Sequence, residues 1–160
     1  MAMAITSSTF THGGSIPGRQ SCEGADLSPP LSWHGAPAGT RSFALVCEDP
    51  DAPGGAWHHW GVYNIPGDQT GLPEGIAPLA EVGALRQTVN DFGRPGYGGP
   101  CPPRGHAKHH YNFRLWALDV AHLDAAHLEM PLDADCEQLK AAAKPHVLAE
   151  AVLTGTYSRS

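Results

Sequence analysis

No apolar run in the chain approaches the ~20 residues that a membrane-spanning helix needs, and Met1 to Thr11 has neither the basic start nor the apolar middle of a secretory signal. The chain is therefore expected to be soluble and cytoplasmic, without integral membrane association. Basic residues are scarce too, 10 Lys and Arg against 16 Asp and Glu, and the formal net charge of −6 excludes a general nucleic-acid or membrane-surface binder, since both need a positive field to meet phosphate. Any anion must be held locally. Cysteine is sparse as well: Cys22, Cys47, Cys101 and Cys136 are far apart and form no Cys-x-x-Cys pair. Neither a dense disulfide framework nor a zinc ribbon is indicated, and free thiols, buried or incidental, are the expectation. Internal repeats, low-complexity blocks and linker-like shifts are all missing, so residues 1–160 read as one domain.

What the chain has in quantity is turn residues, 19 Gly and 15 Pro in 160, which points to a β-rich domain with many reversals. Ser28-Pro29-Pro30 is an extended entry, because a residue before proline is pushed out of the helical region, and a short strand over Leu31 to His34 follows. Ser42 to Glu48 is apolar without helical period and suits a strand buried on both faces; Trp57 to Ile65 is aromatic and β-branched and stops at Pro66-Gly67. The two flank an Asp49-Pro50-Asp51-Ala52-Pro53 loop. From 67 to 108 the only regular piece expected is around Ala84 to Asn90, and a loop that long is usually functional. Tyr111 to Asp119 alternates as a central strand, with Tyr111, Phe113, Leu115 and Ala117 on one face. Cys136, Leu139, Ala142 and Ala143 recur at helical spacing, Pro145 opens a second helical turn through Leu148, and a closing strand is expected near Val152 to Tyr157.

Chemistry-bearing residues gather in two places. Asp49 and Asp51 precede Trp57-His58-His59; strict alternation would put Trp57 and His59 on one face of the strand and His58 and Trp60 on the other. The same rule puts His109 with Tyr111 and turns His110 away, leaving His59 and His109 as the candidate histidines. Between Phe92 and Leu118 there is no Asp or Glu, yet Arg94, Arg104, Lys108 and Arg114 join His106, His109 and His110. Gly93, Gly96, Gly98 and Gly99 could bring backbone N–H groups up to an anion. A metal site on Cys101, His106 and His109 has the ligand types but not the spacing, so no metal and no cofactor are expected. No Gly-x-Ser-x-Gly elbow exists for covalent hydrolysis. Asp49 with His59 or His109 could instead work as an acid–base pair.

Five motifs in order, Ser28-Pro29-Pro30-Leu31-Ser32-Trp33, Asp49-Pro50-Asp51-Ala52-Pro53, Trp57-His58-His59-Trp60, Tyr63-Asn64-Ile65-Pro66 and Tyr97-Gly98-Gly99-Pro100-Cys101-Pro102-Pro103, resemble the phosphatidylethanolamine-binding protein family and its bacterial Raf-kinase-inhibitor-like branch. The resemblance implies a mainly β fold, a Greek-key β-sandwich with a large central antiparallel sheet and short C-terminal helices. It implies a ligand pocket formed by Asp49, Pro50, Pro53, Trp57, His59, Pro102, Pro103, His109 and Tyr111. His110 stands where the family usually has Arg, which would weaken or retune support behind the pocket. The function implied is binding of a small anion or phospho head group (phosphate, phosphoethanolamine-like or carboxylate), with regulation of a protein partner, a kinase or protease by analogy, and a homodimer. An enzyme doing acid–base chemistry with the same Asp and His cluster is the alternative.

Overall fold

A computed structural model describes residues 2–124 and 130–160. In chain order its strands are β1 (Ala4–Thr6), β2 (Leu31–His34), β3 (Ser42–Asp49), β4 (Trp57–Pro66), β5 (Gly71–Leu72), β6 (Glu81–Val82), β7 (Leu85–Gln87), β8 (His109–Leu118) and β9 (Val147–Tyr157), with helix α1 (Cys136–Ala143) between the last two. Strands β1, β2 and β5 make a small antiparallel sheet; the large one runs β6-β7-β4-β3-β8-β9, also antiparallel. This is the mainly β architecture expected, with the short helix near the C-terminal end.

β3 is central because its run Phe43-Ala44-Leu45-Val46-Cys47 has apolar side chains for both faces. Phe43, Leu45 and Cys47 join Ile5, Leu31 and Trp33 of the small sheet in one core, while Ala44 and Val46 meet Cys136, Leu139 and Ala143 of α1 in a second. Each fully buried Leu or Phe contributes about 2 kcal/mol, so both faces of the large sheet need a cover. Helix α1 starts where Asp135 and Gln138 cap each other, Gln138 N–H donating to Asp135 Oδ1 at 2.9 Å and Asp135 N–H to Gln138 Oε1 at 3.0 Å. It can lie close on β4 because residue 61 is glycine: a Cβ there would stand 3.1 Å from Cys136 Sγ and 3.2 Å from Leu139 Cδ2 of the helix, and 2.3 Å from Thr88 Oγ1 beside it.

Several expectations are corrected. The second helical turn ends sooner, as a 3-10 turn over Lys144–His146, and β9 begins at Val147 rather than Val152. Pairing with β8 from Val147 opposite Leu118 to Tyr157 opposite His109 outweighs the local helical pattern. β1, β5 and β6 have only three or two residues, too few for a period to register. In β4 the alternation breaks: Cys47 pairs with Trp60 and Glu48 with His58, with a register shift between them at His59. This bulge turns Trp60 into the larger core, edge-on to Tyr97, instead of leaving it beside His58. Lastly, Cys22 and Cys101 are not free thiols. Cys22 N–H donates to the Pro100 carbonyl at 3.1 Å, the two Cα atoms are 5.4 Å apart, and a disulfide joins them across 79 positions. Cys47 and Cys136 are free and buried, as expected. Among the described residues no helix is long and apolar enough to cross a membrane.

Candidate ligand-binding pocket

A cavity of about 310 Å³ opens at the end of the large sheet where β3, β4 and β8 meet the loops after β3 and β7. Asp49, Pro53, Trp57, His59, Pro102, Pro103, His109 and Tyr111 all line it. Pro50 does not: Asp51 N–H turns back to Asp49 Oδ1 at 2.7 Å, and this side-chain-closed turn leaves Pro50 exposed on the outside. Ala52, Cys101 and Phe92 complete the wall. Phe92 was invisible to motif reasoning; its only mark is a large aromatic in the turn Asn90-Asp91-Phe92-Gly93. It packs edge-on against both Trp57 and His59, with ring centroids 5.4 Å away in each case.

The polar groups sit at the floor. His109 Nδ1–H donates to Asp49 Oδ2 at 2.6 Å, with both side chains buried. His59 takes a different partner: its Nδ1–H donates to the Gly98 carbonyl at 2.6 Å. A carbonyl and a carboxylate can only accept, so both rings carry their proton on Nδ1 and keep Nε2 as the free nitrogen. Among the described residues neither Nε2 has a hydrogen-bond partner. Of the two acid–base pairings read from the sequence, only Asp49 with His109 is made. Tyr111, two positions along β8 from His109, packs edge-on to His59 at 5.1 Å, and its buried hydroxyl has no partner among the described residues.

Burial lowers the His59 pKa below the ordinary imidazole value, the Gly98 carbonyl opposing only in part. The unfolded chain therefore takes up a proton near pH 6.5 that the folded chain refuses. Stability should be full above pH 6.5 and fall below it, by up to about 1.4 kcal/mol per pH unit until the folded imidazole also titrates. Urea unfolding at pH 7.5 and 5.5 checks this: His59→Gln should flatten the difference, and an equal fall in both proteins would assign the slope elsewhere. Burial also pushes the Tyr111 phenol upward, so it stays an O–H donor. An unmatched buried hydroxyl destabilises the fold. Tyr111→Phe should accordingly be as stable as the parent or more stable by about 1 kcal/mol, yet bind ligand less well; a loss of stability would mean that the hydroxyl has a structural partner.

Arg94 and Arg114 of the positive stretch, and its glycines, do not serve this pocket. Arg94 is bound to Asp26 at 3.1 Å and Arg114 reaches Glu48 at 3.5 Å on the α1 side of the sheet. The N–H groups of Gly93, Gly96, Gly98 and Gly99 are all committed, to Asn90 O, Thr88 O, His59 O and Asp26 Oδ1, so no anion nest forms. Gly99 is there for close approach, since a Cβ would lie 2.2 Å from the Gln20 carbonyl. Cys101 is tied up in its disulfide, and among the described residues no group of three metal-ligating side chains converges. His110 is exposed and backs the loop: its N–H donates to Asp51 Oδ2 at 2.8 Å and its Nδ1 bonds the same oxygen at 2.7 Å. The hydrogen bond from its ring holds the Asp51 carboxyl below the usual range.

Residues 6–158 match the model of the family described as phosphatidylethanolamine-binding protein. The chain belongs to that family. Among its relatives are UPF0098 proteins of Methanothermobacter thermautotrophicus, 44% identical over 98% of this chain and 99% of the relative, and of Aquifex aeolicus, 42% identical over 98% and 89%. In solved structures the same fold occurs in Escherichia coli YbcL, described as a new member of the mammalian family, with a TM-score of 0.88 and 34% identity covering both chains fully. A putative phosphatidylethanolamine-binding protein homologue of Chlamydia trachomatis superposes with a TM-score of 0.85 at 39% identity over 99% of each chain. Membership in the phosphatidylethanolamine-binding protein family supports a small ligand-binding protein.

Proposed function

We propose that the Asp49–His109 pocket binds a small anionic or zwitterionic group, a phosphate, phosphoethanolamine-like group or carboxylate, and takes up a proton as it does so. The observation that carries this reading is that the Tyr111 hydroxyl, unpartnered among the described residues, belongs to the same lining as two imidazoles whose Nδ1–H bonds are already made. When both rings are neutral, the unpaired side-chain donors of the lining among the described residues are the Tyr111 hydroxyl and the Trp57 indole N–H, beside several acceptors. Both donors are neutral and the lining has no Lys or Arg, so a proton gained by an imidazole Nε2 or by the ligand itself would supply the charge-assisted hydrogen bond. An ammonium group on the same ligand could donate to Asp49. Pro53, Trp57, Phe92 and Pro102 exclude water around these few contacts.

The enzyme reading rests on the same pair, because Asp49 orients His109 so that Nε2 carries a lone pair, the state of a general base. Asp49→Asn separates the two. The asparagine oxygen can keep the bond from Asp51 N–H while its amide donates to His109 Nδ1, which drives the imidazole proton to Nε2. Affinity for inorganic phosphate, which has no ammonium to pair with Asp49, should then stay within about threefold of the parent, without proton uptake, when measured by calorimetry. Turnover of a small-molecule panel by the parent that disappears in this variant would instead establish the base.

A regulatory role follows if the anion is carried by a protein: a phosphorylated or acidic side chain of a kinase or protease partner would enter the same pocket, and free phosphate would release it in pull-downs. Homodimer formation belongs to this proposal and is checked by sedimentation. For location, disulfides persist mainly in oxidising compartments or in hyperthermophile cytoplasm. The Cys22–Cys101 bond therefore favours such a setting over an ordinary reducing cytoplasm.

A further inference from the structure

On the α1 side of the large sheet lies a second cavity, of about 390 Å³, that shares no lining residue with the first. Glu48 of β3 with Arg114 and Trp116 of β8 form its floor, Lys140 and Ala143 of α1 one wall, and Lys144 and Val147 the mouth. The side-chain alternation that sends Asp49 and Tyr111 into the first pocket sends Glu48, Arg114 and Trp116 to this one.

Three of these side chains are cationic and one is a carboxylate. Glu48 accepts from Lys140 Nζ at 3.2 Å and faces Arg114 Nε at 3.5 Å. At the rim Glu150 Oε1 takes Arg114 NH1 at 3.4 Å, and Glu150 Oε2 accepts the Trp116 indole N–H at 2.7 Å, which fixes the indole as a flat wall. Lys140 also donates to His58 Nε2 at 2.7 Å and has exposed Glu137 at 3.7 Å. Lys144 has no anionic partner among the described residues. Among the described residues the cavity thus combines an ammonium without an anionic partner, a guanidinium with a nitrogen to spare, and an apolar surface of indole, Ala143 and exposed Val147. Its size lies within the small-molecule range of roughly 300–1,000 Å³.

We propose that this cavity is a second ligand site, for a small organic anion with a flat apolar body, of the aryl carboxylate class. The carboxylate would lie between exposed Lys144 at the mouth and part-buried Arg114 below it, whose planar guanidinium gives the stronger charge-assisted bond. The ring would stack on Trp116, with Val147 closing over it. An inorganic phosphate would leave the apolar wall unused.

Each cavity has its own reporter, Trp57 in the first and Trp116 in the second, so indole N–H resonances locate a ligand. Titrating the intact protein with 2-naphthoate should move the Trp116 resonance with one-to-one saturation and leave Trp57 in place. The alcohol 2-naphthylmethanol should bind at least about tenfold more weakly, one ion–pair contact being worth about that factor. Lys144→Glu should weaken 2-naphthoate by at least about tenfold, and Val147→Trp, which blocks the mouth without touching a charge, should do the same. Movement of Trp57 alone, equal binding of acid and alcohol, undiminished binding in both variants, or no saturation would each overturn the proposal. None of these outcomes depends on what the Asp49 pocket binds.

Discussion

Reduced protein, or the Cys22→Ser/Cys101→Ser double variant, should lose about 4 kcal/mol of stability. The disulfide closes a loop of 79 positions, and the chain-entropy model assigns roughly that value to a loop of this length by limiting the unfolded ensemble. Urea unfolding with and without reductant measures it, and a stability change under about 1 kcal/mol would contradict the account. The effect should also reach the pocket. Cys101, Pro102 and Pro103 are consecutive lining residues, and once the bond is cut their segment is anchored chiefly by Cys22 N–H on the Pro100 carbonyl and Arg159 Nε on the Pro102 carbonyl. Ligand affinity should fall on reduction even at temperatures where the protein stays folded. Alkylation of freshly lysed cells should find both thiols blocked.

Asp49→Ala should be the most damaging single change within the pocket. Two hydrogen bonds end on this carboxylate, from His109 Nδ1 at 2.6 Å and Asp51 N–H at 2.7 Å, and alanine satisfies neither. His109 is 5% exposed, so its ring nitrogen would be stranded away from water, a penalty of about 1–3 kcal/mol. Loosening of the 50–55 loop adds to it. Total destabilisation of about 2–4 kcal/mol is expected, together with at least about a hundredfold loss of phosphoethanolamine affinity, since His109 is no longer oriented. Asp49→Asn provides the contrast, because its amide can make both bonds. Equal losses in the two variants would show that charge at position 49, rather than orientation of His109, controls the site.

Much of this arrangement could be read from residue order. The alternation of β8 placed His109 and Tyr111 on one side and His110 on the other, and the burial of that strand follows it. The Asp-Pro-Asp loop between two apolar runs placed Asp49 at a strand end. What could not be read depends on contacts between distant segments. A bulge at His59 is set by pairing with β3, so strict alternation misplaced Trp60. The partner of Cys22 lies 79 positions away, a distance over which spacing is silent. The positive stretch from Arg94 to Arg114 suggested an anion site, yet Arg94 meets Asp26, Arg104 the Ser160 carbonyl and Arg114 Glu48, all from other parts of the chain. Phe92 enters the wall only because its turn folds over Trp57 and His59.

The claim that most of this rests on is proton-coupled binding at the floor of the pocket. Calorimetric titration of phosphoethanolamine in two buffers of different ionisation enthalpy, at one pH, tests it directly. The account predicts one-to-one binding whose apparent heat changes with the buffer in the sense of proton uptake, an affinity that rises as pH falls, and at least about a tenfold weakening in Tyr111→Phe. Buffer-independent heat together with equal affinity in Tyr111→Phe, or no binding at all, would contradict it.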